Sequence, residues 1–137
     1  MHSTGWGRYP AIDTTLSLPA TSSALALALA GMSGPCIARG MGRSYGDASL
    51  AAHTVGMARF DHLLAFDGER GSVHCGAGIT LAAILEQSVP RGWFLPVLPG
   101  TGQVSVGGAI AADVHGKNHH HDGTFGDHVD KIGRAHV

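Results

Sequence analysis

Arg39 to Asp47, reading RGMGRSYGD, sets two arginines among three glycines directly behind the apolar Cys36-Ile37-Ala38. A glycine-rich loop at the end of a strand exposes backbone N–H groups that together form a nest for an anion, and glycine lets that anion come close. Gly40, Gly42 and Gly46 miss the dinucleotide fingerprint G-x-G-x-x-G by one residue, and Asp61 or Asp67 serves only loosely as its acidic partner. Spacing alone therefore favours a phosphate loop, with an ordinary surface turn as the alternative.

A second glycine-rich stretch runs Leu98-Pro99-Gly100-Thr101-Gly102-Gln103, continues through Ser105-Val106-Gly107-Gly108-Ala109, and ends Asp113-Val114-His115-Gly116-Lys117-Asn118. A helix opening on SVGG is expected to offer unpaired N–H groups and a positive dipole end. Ala109, Ala111 and Ala112 would leave room on its face for a flat ring system; close packing of small residues against another element is the equal alternative. His115, His119, His120 and His121 are metal-ligand types. Gly116 and Gly123 break any helix that would align them, and only Asp113 and Asp122 lie near, so no metal site is expected. Lys117 is either an exposed loop lysine or a cation beside a ligand.

These loops need elements to hold them. Cys36 to Ala38 and Thr54 to Phe60 read as strands. Leu63 to Phe66 and Ser72 to His74 read as a hairpin turning at Asp67-Gly68. Thr80 is the expected N-cap of a helix over Ile79 to Gln87, with Ile79, Ala82, Ala83 and Leu85–Glu86 at helical spacing and Pro90 and Gly92 ending it. Phe94 to Leu98 reads as a buried strand, and Val104 to Val114 as a small-residue helix. Ser23 to Ala30 is a short amphipathic or core helix behind Pro19 and Thr21-Ser22-Ser23, far short of the ~20 residues that span a bilayer. Strands, hairpin and helices in this order argue for α+β rather than a regular βαβ array.

Composition sets the outer limits. The chain has 137 residues, 44% hydrophobic and 14% charged, with a formal net charge of −1, which suits one domain and disfavours a nucleic-acid partner. Glycine is the outlier, with 21 residues against roughly 7% in an average protein. Cys36 and Cys75 show no CxxC spacing and no secretory signal accompanies them, so two buried reduced thiols are expected.

Together, TGWGR at Thr4 to Arg8, IARGMGRSYGD at Ile37 to Asp47 and VLPGTGQVSVGGAIAADVHGKNHHHDGTFGDHV at Val97 to Val129 resemble the FAD-binding domain of the vanillyl-alcohol-oxidase, or PCMH-type, FAD-linked oxidoreductases. Within that family the likeness is greatest to the branch acting on decaprenylphosphoryl ribose. The resemblance implies an α+β PCMH-type fold over residues 1–131, comprising the first flavin lobe and the start of the second, with the substrate domain absent. It implies that Ala38, Arg39, Gly40, Met41, Gly42, Arg43, Ser44, Tyr45, Gly46, Asp47 and Ala48 wrap the FAD pyrophosphate. It further implies that Gly100, Ser105, Val106, Gly107, Gly108, Ala112, Asp113, Val114 and His115 line the cofactor. Many relatives attach flavin through a histidine where this chain has Arg43, so the FAD is expected to be non-covalent. Lys117 is the candidate residue near flavin and substrate; the catalytic base is not assigned.

The implied activity is oxidation of a secondary alcohol on a sugar, most specifically a polyprenyl-phosphoryl ribose at its 2′ carbon, with a partner reductase completing an epimerisation for arabinan and cell-wall synthesis. The alternatives are an alditol or aldonolactone oxidase and a non-catalytic nucleotide-binding module. A cytoplasmic protein is expected, without a transmembrane segment and drawn to the membrane through a lipid substrate. Residues 132–137, IGRAHV, fit the family poorly and are expected to be a non-native tail, because ATC GGA AGA GCA CAC GTC, part of a widely used sequencing adapter, translates to them.

Overall fold

A computed structural model describes residues 1–133; of the tail expected at 132–137, residues 134–137 lie outside them. The chain divides into two compact units, Met1–Phe60 and 61–133.

The first unit is built on a three-stranded parallel sheet. Strands β1 (His2–Thr4) and β2 (Ala11–Asp13) pair antiparallel at the amino end. Then β3 (Thr15–Ser17), helix α1 (Ser22–Ala30), β4 (Cys36–Arg39) and β5 (His53–Gly56) follow, with sheet order β3-β5-β4. Its central strand β5 is closed in on both sides: Thr54 and Val55 are buried, and the Thr54 hydroxyl lies 2.8 Å from that of Thr14. Burial on both faces is the usual state of a parallel strand, and here one polar residue is tolerated because its hydroxyl has a partner. The strand is shorter than the expected Thr54 to Phe60, since the chain turns at once, with the Phe60 N–H donating to the Met57 carbonyl.

Thr21 caps α1 by accepting from the Ala24 N–H at 3.1 Å. No side chain of α1 is buried, and Leu27 is 74% exposed, so it is neither the amphipathic nor the core helix expected. Leucine and alanine alternate along it, so its apolar side chains are spread round the axis rather than gathered on one face. Cys36, expected to be buried, is exposed on the edge strand β4. Cys75 is half-buried, and burial pushes its thiol pKa up.

In the second unit β6 (Leu63–Asp67) and β7 (Ser72–Cys75) form the expected hairpin. The Asp67 carboxylate accepts from the N–H groups of Glu69 and Arg70, so the aspartate side chain itself builds the turn. Helix α2 (Leu81–Ser88) opens on Thr80, whose hydroxyl accepts from the Ala83 N–H at 3.1 Å, as its position predicts. Of the positions read at helical spacing, Ile79 is buried but precedes the cap, Ala82, Ala83 and Leu85 are half-buried and Glu86 is exposed, while the helix itself buries Leu81, Ile84 and Ser88. A 3-10 turn over Val89–Arg91 and left-handed Gly92 end it.

Phe94 to Leu98 is not a strand. Phe94 is 65% exposed, only Val97 of the stretch is fully buried, and Pro96 has no N–H to donate to a ladder. Helix α3 (Val106–Ala111) is shorter than the expected Val104 to Val114. Val104 is taken up in accepting from the Leu81 N–H, and Asp113, at φ 43°, turns the chain out of the helix. A one-turn helix α4 (His119–Asp122) follows, closed by Gly123. Among the described residues no helix is long and apolar enough to cross a membrane.

Candidate functional site

The loop after β4 carries unspent donors. Among the described residues, none of the backbone N–H groups from Gly40 through Asp47 finds an acceptor. Gly42 and Gly46, at φ 66° and 56°, adopt the left-handed backbone that curves this run, a conformation costly for a residue with a Cβ. A curved run of backbone donors without protein acceptors is able to receive anionic oxygens. This donor set fits a dinucleotide pyrophosphate, which presents only acceptors.

The two arginines of the loop face the chain. The Arg39 guanidinium donates to the Thr4 carbonyl at 2.8 Å and reaches Ser49 Oγ at 3.4 Å. It passes directly beneath Gly42, where a Cβ would meet it at 2.5 Å. Arg43 donates to the Met41 carbonyl at 2.8 Å and lies 4.8 Å from the centre of the Trp6 ring. Tyr45 and Ala48 are exposed.

The second glycine loop departs from expectation at its helix. The N–H groups of Val106 and Gly107 donate to the carbonyls of Ile79 and Ala77, both at 2.8 Å, and that of Gly108 to Ser105 Oγ at 3.2 Å. Three of the four N–H groups of the SVGG turn are thus spent within the chain, and among the described residues only that of Ser105 lacks an acceptor. A Cβ on Gly107 would stand 3.1 Å from the Ala77 carbonyl, so the small residue serves close packing, the alternative reading of this segment. Ala109 is fully buried and offers no open face, whereas Ala111 and Ala112 are exposed.

Free donors reappear on either side of that helix, at Gly100 to Gly102 and at His115 to Asn118, whose backbone N–H groups have no acceptor among the described residues. These two stretches meet at an open hollow of about 520 Å³ lined by Leu98, Pro99, Gly100, His115, Gly116, Lys117 and His119. Asn118 ties the second stretch to the segment ahead of the first by donating to the Pro96 carbonyl at 2.9 Å. The Asp113 carboxylate accepts from the Gly126 N–H at 2.9 Å, which ties down the segment beyond. There Asp127 caps Thr124, and that backbone hydrogen bond holds its carboxyl below the usual range. Lys117 is exposed and has no ion-pair partner among the described residues.

The His115 and His119 rings meet edge to face at 5.3 Å, and the His119 and His120 rings lie 4.0 Å apart. Among the described residues no three His, Cys, Asp or Glu side chains gather as a metal-binding group. The structure thus groups His115 with Lys117 on the hollow, places Ala38 and Arg39 at the end of β4, and keeps Gly40 to Ala48 as the loop that follows. It turns Ser105 to Gly108 toward the chain. Sequence reasoning missed the part played by Gly5 and Trp6, which contact the first loop; TGWGR, a tryptophan between two glycines, was the available signal.

The model for the FAD binding domain matches residues 18–133. Decaprenylphosphoryl-β-D-ribose oxidase of Mycolicibacterium smegmatis is 45% identical over 95 residues, covering 68% of this chain and 21% of that protein. Among solved structures, cholesterol oxidase from Brevibacterium sterolicum superposes with a TM-score of 0.70 at 20% identity, over 84% of this chain and 24% of that one. An alkyldihydroxyacetonephosphate synthase does so with a TM-score of 0.62 at 22% identity, over 82% and 23%. The chain thus spans about a fifth to a quarter of these proteins, 21% to 24%. The solved structures share its mixed α+β, PCMH-type fold. With its model matched over 18–133, the chain belongs to the FAD binding domain family, of the kind carried by such flavin-linked oxidases.

Proposed function

We propose that the protein carrying this domain is an FAD-dependent oxidoreductase that oxidises a secondary alcohol of a sugar, with a polyprenyl-phosphoryl ribose oxidised at its 2′ carbon as the substrate. The 45% identity to a decaprenylphosphoryl-ribose oxidase is the observation that carries this reading. On it, a keto sugar is the product, and a partner reductase completes the epimerisation, a step in arabinan and cell-wall synthesis.

The chain's own residues have distinct tasks in this proposal. The N–H groups of Gly40 to Asp47 hold the pyrophosphate, and Gly100 with Ala112 to His115 lines the cofactor further along. Ser105 to Gly108 supports that lining by packing on Ala77 and Ile79. Bound FAD supplies a hydride acceptor at its N5 atom. Lys117 places a cation at the hollow, where it holds the substrate phosphate or offsets negative charge arriving with the hydride.

The direct test is anaerobic mixing of the purified flavoprotein with a polyprenyl-phosphoryl ribose. Rapid loss of the oxidised-flavin absorbance with a keto sugar as product is expected. Reduction by alditols or aldonolactones and not by the lipid-linked ribose would replace this substrate assignment.

Attachment of the flavin has its own test. Arg43 stands in the attaching position of the resemblance, and a guanidinium does not form the histidyl–flavin bond; here it is engaged with Met41 and Trp6. Acid or heat precipitation is therefore expected to leave all the FAD in the supernatant. Yellow colour remaining with the pellet after washing would show a covalent link.

A further inference from the structure

The anion loop is braced from outside by a segment the proposed function has not used. Trp6 donates its backbone N–H to the Ser44 carbonyl at 2.8 Å, at the middle of the loop. One residue earlier, Gly5 is pressed so close that a Cβ would stand 2.6 Å from the Ser44 carbonyl oxygen and 2.8 Å from that of Gly46. Before it, Thr4 ends β1 and offers its carbonyl to Arg39. Above, the Trp6 ring receives the Arg43 guanidinium at 4.8 Å. Three consecutive residues thus touch the loop at its start, middle and end. All three precede residue 18, where the match to the family begins.

None of these contacts consumes a loop N–H. They use loop carbonyls and arginine side chains, and every donor from Gly40 to Asp47 stays without an acceptor among the described residues. A loop rich in glycine loses much conformational freedom when a ligand orders it. A brace that fixes its shape beforehand removes that loss from the binding step. We propose that Trp6 is a positioning residue for FAD: by stacking on Arg43 and anchoring Ser44 it presets the anion loop. The inference rests on the FAD reading of that loop. Trp6 itself is 55% exposed, which a residue kept only for the core would not be.

The test is FAD titration of the apoprotein form of the whole flavoprotein, followed by flavin fluorescence, for Trp6→Leu and Trp6→Phe. Leucine keeps apolar bulk without a π face; phenylalanine keeps the face. Trp6→Leu is expected to weaken FAD binding about five- to thirtyfold, and Trp6→Phe to stay within about twofold of the parent. The apoprotein unfolding midpoints of both variants should match the parent's. The proposal is overturned if Trp6→Leu binds like the parent, if phenylalanine is as poor as leucine, or if weaker binding comes only with a lowered midpoint. A parent apoprotein that takes up no FAD would instead overturn the FAD reading, and this inference with it.

Discussion

Replacing Lys117 by methionine in the flavoprotein is expected to slow flavin reduction by substrate about ten- to a thousandfold, with FAD content nearly unchanged. That range corresponds to roughly 1.4–4 kcal/mol of barrier, the size of one well-placed charge or oxyanion donor. Methionine keeps most of the length and the apolar stem and removes only the cation. Lys117 lies on the hollow, exposed and without an ion-pair partner among the described residues, so its charge is not already neutralised. A role in holding a substrate phosphate would appear mainly in KM, and a role in the transition state mainly in kcat. Unchanged kinetics with an unchanged flavin spectrum would mark Lys117 as a loop lysine and restrict this part of the site to His115 and the backbone around it.

The second large effect is structural. Gly116→Val should disrupt the hollow, because a Cβ at this position would stand 2.6 Å from the Leu98 carbonyl oxygen and 2.8 Å from Asn118 Oδ1. The obstruction at Leu98 is backbone, which no rotamer change relieves, so the stretch from His115 to Asn118 has to move away from Leu98 to Gly100. Overpacking of this kind costs about 1–3 kcal/mol. Gly100→Ala is the control: nothing lies within 4 Å of its Cβ position. That substitution should alter stability by no more than about 0.5 kcal/mol. Thermal unfolding of the two variants side by side decides the matter. Equal midpoints would show that the close approach at Gly116 does not exist in solution.

Local chemistry was readable wherever one side chain completes a motif by itself. Thr80 capped its helix and Asp67 built its turn because both act on N–H groups two or three residues away. Strands β1, β2 and β3 escaped notice because each has only three residues, too few for alternation to register. Phe94 to Leu98 has the apolar content of a strand, yet strand formation depends on a partner ladder that apolarity does not reveal. The SVGG helix start was misjudged for a similar reason. Whether its donors are free depends on Ile79 and Ala77, distant in sequence, which accept from them. The glycine-rich segment after β4 was legible as a loop, but its contacts with Gly5 and Trp6 join segments nearly forty positions apart and are visible only in three dimensions.

The unequal surroundings of the two thiols make this domain chemically addressable. Cys36 stands exposed on the edge strand three residues ahead of Arg39, while burial suppresses the thiolate of Cys75. An electrophilic dye offered to this chain near neutral pH will therefore modify Cys36 first, because access and thiolate fraction together set the rate. Such a label sits on the strand that feeds the Gly40 to Asp47 loop, where a change in its emission would report the loop's response to a ligand without altering any residue of the loop itself.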